Sequence, residues 1–408
     1  MTYIFQSVIK SSQLLVAFLF SIYIVKFLSI EELGIYGLIL SISRVIPIIL
    51  GIGFISEFQR NYKYLSEDIG NNYLANHFLW IFLIYFFLGF FLYLILKSSI
   101  EFMENYFIFL FLVVITEHYI YDFIQYNFIR NKALQSTVIN FFHIFLRSVP
   151  FMIFAFFFES LISFKNILIF WFIFNFFLLF ILFFYFFKKF TNFKLDIFIH
   201  IKMFKNIRLL YTNNLLNILR AELPLYFIGL LSNETLLGVY VFFNNIFNSF
   251  SNFMNYTFII EKQQSIIDFL FQKRLDEANY LKKESLKLIF FIYFIFFLGF
   301  IFFINYFGNL IDPNLLIYDY ISYFLLIIIS INILQSFQLI PFVYKKDFFI
   351  FLVNISSIFF LIINIKILNL LYGNVGLLFS VLNLSLFHFL LFYFYERKII
   401  QIEIKNIL

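Results

Sequence analysis

The chain has 408 residues, 63% of them hydrophobic and only 13% charged, with 72 Phe, no Cys and a formal net charge of +6. Soluble domains carry nearer a quarter of charged residues, so this composition reads as an all-α polytopic membrane protein. It excludes disulfides, thiolate metal ligands and cysteine nucleophiles, and the five His are scattered without paired spacing, so no metal site is expected. The basic excess is spread over short loops, where membrane topology explains it better than nucleic-acid binding does. The Phe content follows the codon bias of an AT-rich genome and marks no recognition surface.

Polar breaks leave about twelve apolar spans, at residues 8–28, 34–58, 76–96, 106–128, 137–158, 167–187, 209–231, 238–260, 287–307, 319–341, 349–368 and 376–395. Each is long enough to cross a hydrocarbon core of about 30 Å. The first lacks a basic leader and a small-residue cleavage motif, so it reads as a retained span. With the N-terminus in the cytoplasm, Lys and Arg concentrate on the cytoplasmic side; the exceptions are Lys26, Lys97, Lys165, Lys366 and three arginines inside spans. That bias puts both termini inside. The longest polar stretches, 188–208 and 261–286, are then both cytoplasmic, and external loops are short. Stretch 188–208 joins two six-span halves, 1–203 and 204–408. Charges at helical spacing in 261–286 predict a surface amphipathic helix.

The halves repeat. Leu28-Ser29-Ile30-Glu31 with Gly34-Ile35-Tyr36 opens span 2, and Leu231-Ser232-Asn233-Glu234 with Gly238-Val239-Tyr240 opens span 8. Halves of equal orientation imply parallel repeats about an axis along the membrane normal, with a site in a central cavity near the midplane.

Taken along the chain, the polar residues inside spans form stripes. Span 2 aligns Gly37, Ser41, Arg44 and Gly51. Span 4 holds Glu117, His118, Asp122 and Gln125, the last three on one face and Glu117 on another. Asn140, His143 and Arg147 line up in span 5, ahead of Pro150. In span 7 the stripe is Asn213, Asn217, Arg220 and Pro224, with Glu222 on a different side. Span 8 aligns Asn244, Asn248, Ser251 and Asn255. His388 in span 12 reads as polar packing.

Arg44, Arg147 and Arg220 each sit near the middle of a span, where a charge costs at least about 2.5–3.5 kcal/mol. Three cations at one depth point to a buried anion site, and the planar guanidinium fork suits a phosphate group. The bland alternative is helix-to-helix glue, with Glu117, Asp122 or Glu222 neutralising an arginine. The Asn stripe offers donors and acceptors for sugar hydroxyls, or bonds between helices. Asp122, Glu117 and Glu222 either pair with the arginines or relay H⁺ or Na⁺. No Walker-type glycine-rich loop is present, so neither ATP coupling nor any other cofactor is expected.

On these motifs, together with Glu32-Leu33, Gly51-Ile52-Gly53 and Gly373-Asn374-Val375-Gly376, the chain resembles Wzx-type O-antigen and polysaccharide flippases of the multidrug/oligosaccharidyl-lipid/polysaccharide exporter (MOP) superfamily. The resemblance covers essentially the whole length in span number and in its two halves. It implies a transporter rather than an enzyme, in the bacterial inner membrane, moving undecaprenyl-diphosphate-linked oligosaccharide by alternating access. Its partners would be that lipid-linked oligosaccharide, membrane lipids, and the polysaccharide polymerase and chain-length regulator. Two other classes compete. An O-antigen polymerase, an enzyme of similar hydropathy, needs a long external loop that this chain lacks. A cation-coupled multidrug exporter of the same superfamily would find three midplane arginines repulsive to organic cations.

Overall fold

A computed structural model describes the chain except residues 1, 52–65, 100, 131, 159–162, 188–193, 197–198, 255–258, 273, 312–319, 345 and 408. The described residues are almost wholly helical, with no strand among them. The N-terminal helices are α1 (Thr2–Phe27), α2 (Ile30–Leu50), α3 (Glu67–Ser99), α4 (Glu101–Ile129), α5 (Ala133–Phe157), α6 (Phe164–Phe187) and α7 (Ile199–Leu231). There follow α8 (Glu234–Met254), α9 (Ile260–Phe271), α10 (Leu275–Ile311), α11 (Tyr320–Ser336), α12 (Ile340–Val343) and α13 (Asp347–Ile407). Among the described residues, 8 helices are long and apolar enough to cross a membrane. The asparagines of α8 hold its hydropathy below that level. Long rows of exposed aromatics, such as Phe176, Phe177, Phe180 and Phe184 on α6 and Phe290, Phe291, Phe294 and Phe302 on α10, suit contact with lipid and would aggregate in water. The chain is an all-α, multi-pass membrane protein.

Two details depart from the sequence expectation. Stretch 261–286 is not one surface helix, because α9 stops at Phe271 and Leu275 already begins α10. Charge pairs at helical spacing, Arg274–Glu277 and Lys287–Glu284, let α10 start well before its apolar part. The expected span 319–341 is likewise broken after Ser336, with the short α12 following.

The chain divides into two compact units. One comprises Met1–Tyr23 and Leu38–Leu215, the other Ile24–Gly37 and Leu216–Leu408. Against the sequence division at 203/204, the boundary thus lies inside α7, and the stretch joining α1 to α2 belongs with the C-terminal unit.

In the N-terminal unit, α4 packs on α3, α5 and α6. Its interior is aromatic: Phe123 lies 4.6 Å from both Phe78 and Phe186, ring centre to ring centre. Edge and offset contacts of this kind add to plain area burial. Two side chains one turn apart on α3 hold the linker. Asn72 Oδ1 accepts the Lys194 amide at 2.8 Å, and Asn76 donates to the Lys194 carbonyl and accepts from Asp196, both at 2.8 Å.

The C-terminal unit is built around the repeated motif. Ser29 Oγ accepts the Glu32 amide and Glu32 Oε2 accepts the Ser29 amide, both at 3.1 Å, which closes a capping box at the start of α2. Asn233 caps α8 by accepting the Leu236 amide at 2.8 Å. Between these capped ends the helices cross closely. A Cβ on Gly238 would stand 2.0 Å from the Ile30 carbonyl oxygen, and one on Gly34 would stand 3.0 Å from Leu237. The two glycines of the repeat therefore face each other's helix, and this contact is why each is glycine. Farther along, α8 packs on α11, with Phe250 stacked on Phe296 of α10 at 3.7 Å. Helix α13 is two arms joined at Gly373, whose φ of 56° favours glycine. The arms run against each other, since Phe360 stacks on Phe387 at 4.2 Å.

Candidate functional site

Each span arginine is followed by a proline about one turn later: Arg44 by Pro47, Arg147 by Pro150 and Arg220 by Pro224. Proline has no amide hydrogen to give the carbonyl four residues back, so each helix has a loosened backbone bond beside its charge. In α7 the freed carbonyl is that of Arg220 itself.

Their surroundings differ. Arg44 is exposed on α2, and Arg147 is half-buried on α5. Arg147 Nη1 lies 3.9 Å from Glu117 Oε1, and its guanidinium sits 4.9 Å over the Trp171 ring. The same Glu117 oxygen accepts from His143 at 2.9 Å, from Asn175 at 3.0 Å and from the Trp171 indole. One half-buried carboxylate thus gathers groups from α5 and α6 and compensates Arg147. Of these residues, Trp171 and Asn175 were not singled out in the sequence. Their signal was available as an i, i+4 polar pair on the most uniformly apolar span.

Arg220 has no such counter-charge. Its Nη2 donates to Asn217 Oδ1 on its own helix at 2.9 Å, its Nε is buried without a hydrogen-bond partner, and no carboxylate among the described residues forms an ion pair with it. Glu222, two residues on, is half-buried, while Asn213 is buried and Asn217 exposed. On α8, Asn244 and Asn248 are half-buried, and their side chains form no hydrogen bond with other described residues. Asn255, the last member of that stripe, lies outside the described residues. His388 bonds Asn354 at 3.1 Å across the two arms of α13.

Asp122 faces α3 rather than an arginine. His77 Nε2 lies 3.0 Å from Asp122 Oδ2 and His118 Nε2 3.4 Å from the same oxygen, all three residues being buried. His77 and His118 stand 41 residues apart, so no spacing motif could announce the cluster. The face assignment within span 4 does match the geometry: His118 and Asp122 turn to α3 while Glu117 turns to α5 and α6.

No family model matches the sequence, and neither does any curated protein. Solved structures do. An inward-facing multidrug resistance MATE family transporter of the MOP superfamily aligns over 98% of this chain and 99% of that chain, with a TM-score of 0.62 and 12% identity. A mutant of the Vibrio cholerae MATE transporter VcmN aligns over 98% of both chains, with a TM-score of 0.60 and 12% identity. The lipid II flippase MurJ, in an inward closed conformation, aligns over 97% of this chain and 87% of that chain, with a TM-score of 0.58 and 16% identity. At such identities the likeness speaks for the fold: this multi-pass membrane protein has the transporter fold that the MATE proteins and MurJ share.

Proposed function

We propose that the chain is a flippase for a polyprenyl-diphosphate-linked oligosaccharide, of the kind that carries O-antigen or other surface-polysaccharide repeat units. The observation that carries this reading is Arg220, half-buried in mid-span, with its Nε enclosed without a hydrogen-bond partner and no carboxylate partner among the described residues. An unpaired cation in a low-dielectric interior is costly and is retained where an anion binds. A diphosphate supplies that anion, and guanidinium binds it through paired, charge-assisted hydrogen bonds. Arg44 and Arg147 are the further phosphate contacts of the reading, although Arg147 must share its charge with Glu117. Asn213, Asn217, Asn244, Asn248 and Asn255 would serve the glycan, as amides that can both donate and accept.

The fold adds support, since one protein that shares it is a lipid II flippase. Coupling to H⁺ or Na⁺ is assigned to Asp122, Glu117 and Glu222, with alternating access as the working cycle. The protein would sit in the inner membrane with both termini in the cytoplasm, beside the polymerase and the chain-length regulator. Multidrug exporters also share the fold, and organic cations are the substrates Arg220 would repel.

The test is a clean deletion in the native strain, complemented with wild type or Arg220→Ala. Loss of surface repeat units in the deletion, with complete lipid-linked units accumulating inside, supports the flippase. Arg220→Ala should then fail to restore them while reaching the membrane in normal amount. Surface glycan unchanged by the deletion would transfer the reading to drug export, and single repeat units still reaching the surface would transfer it to the polymerase.

A further inference from the structure

Helices α3 and α4 are joined by a ladder of polar rungs along the N-terminal unit. At one end Lys132 Nζ pairs with Glu67 at 2.7 Å, and Arg130 donates to the Ser66 carbonyl at 2.9 Å. Tyr126 then donates to Asn71, and Tyr119 to the Phe78 carbonyl at 3.0 Å. Each of these rungs matches donor with acceptor.

The rung at Asp122 does not. Three ligating side chains converge there: a ring nitrogen of His77, one of His118 and a carboxylate oxygen of Asp122 all lie within 4.8 Å of one another. His77 and His118 are fully buried and Asp122 is 2% exposed. His118 Nε2, though 3.4 Å from the carboxylate, makes no hydrogen bond at all. Its other ring nitrogen is engaged, since Nδ1 lies 3.0 Å from the Tyr85 hydroxyl. With Nδ1–H donating to the Tyr85 oxygen, the lone pair is left on Nε2, aimed at the cluster. This outer hydrogen bond on the far nitrogen is the arrangement that orients imidazoles bound to metals. Gly51, just past the end of α2, adjoins that nitrogen: a Cβ there would stand 3.6 Å away, in van der Waals contact.

We infer that His77, His118 and Asp122 form a binding site for a divalent transition-metal ion of the zinc type, which pins α3 to α4. Zinc bonds to imidazole nitrogen and carboxylate oxygen are about 2.0–2.2 Å, so tetrahedral ligand atoms stand roughly 3.3 Å apart. The two separations at Asp122 Oδ2, 3.0 and 3.4 Å, bracket that edge. Two nitrogen ligands disfavour Mg²⁺ and Ca²⁺, which take oxygen. A divalent ion also meets the need that the hydrogen bonds leave unmet, by compensating the buried carboxylate and occupying the bare lone pair. Three protein ligands leave the fourth position to water. The site is independent of the substrate proposed above, but an ion held there takes Asp122 out of the coupling set and leaves that role to Glu117 and Glu222.

The test uses the full-length protein in detergent, freed of any affinity tag and treated with chelator. Titrated with Co²⁺, wild type should bind one ion per chain with the visible absorption of a tetrahedral centre, displaced by Zn²⁺. X-ray absorption on the Zn²⁺-loaded wild type should show two imidazoles in the first shell. Asp122→Asn and His118→Gln should each lose the Co²⁺ spectrum, and Zn²⁺ should raise the thermal midpoint of wild type but not of either variant. Absence of stoichiometric binding by folded wild type, or a shell with fewer than two imidazoles, would overturn the site. So would unchanged binding in both variants. Because the X-ray measurement is made on wild type, it decides the matter even where a variant does not fold.

Discussion

Arg147 in the N-terminal unit and Arg220 in the C-terminal unit look alike in sequence: each lies mid-span, on a stripe with Asn, one turn before a proline. The structure separates them. Arg147 is held by Glu117, which also accepts from His143, Asn175 and Trp171. Among the described residues, Arg220 finds only Asn217 of its own helix. Arg147 shares its charge with Glu117, whereas the charge of Arg220 is left without a carboxylate among the described residues. The contrast teaches that position within a span does not tell whether an arginine has a counter-charge; its neighbours on other helices do.

The largest expected effect is at Arg220. Arg220→Ala should lose transport of lipid-linked repeat units in the complementation assay, with no fall in thermal midpoint, because removing an uncompensated cation costs the fold nothing. A stable, fully transporting variant would end the distinction drawn here. Next comes Glu117→Ala, which strands Arg147 and three donors and should destabilise the protein by about 3–5 kcal/mol. Thermal unfolding in detergent measures it, and a cycle with Arg147→Leu should return part of the loss, since residues of one network couple. If the double variant is no more stable than Glu117→Ala, the carboxylate serves the other donors and not the arginine.

Smaller effects test the frame that carries the Asn face of α8. Gly238→Ala places a methyl against the Ile30 backbone and should cost about 1–3 kcal/mol through overpacking. Gly34→Ala meets the movable Leu237 side chain at 3.0 Å and the Gly238 amide nitrogen only at 3.3 Å, and should cost less; equal losses would mean that the crossing is not as asymmetric as the geometry has it. The smallest change is Ser29→Ala, which removes one cap and should lower stability by about 1 kcal/mol. Asn233→Ala provides the matched measurement at the other copy of the repeat.

Some of this was legible in the residues alone. Hydropathy located the spans, because a helix that must satisfy every backbone group in lipid has to be long and apolar. Ser29 followed by Glu32 is a local signal, and it became a capping box. The paired Leu-Ser motifs with glycines at 34 and 238 became two capped helix starts pressed together. Helical periodicity also put Asp122 and His118 on one face of α4 and Glu117 on another. Other features were not legible. Nothing in the charge spacing of 261–286 could show that α10 begins at Leu275, since i, i+3 pairs serve a surface helix and a span extension equally well. The boundary between units, inside α7 rather than at residue 203, depends on packing.

What the sequence by itself determined is therefore everything of short range: span positions, caps, prolines, and the rarity of charge in an apolar interior. Only the tertiary structure decided which charges meet. Glu117 and Arg147 are 30 residues apart, His77 and Asp122 are 45 apart, and half a turn of rotation about any of their helices would exchange every partner. The physical reason is that a buried charge is governed by neighbours within a few ångströms, and in a helical bundle those neighbours come from other helices, at separations along the chain that no local pattern encodes.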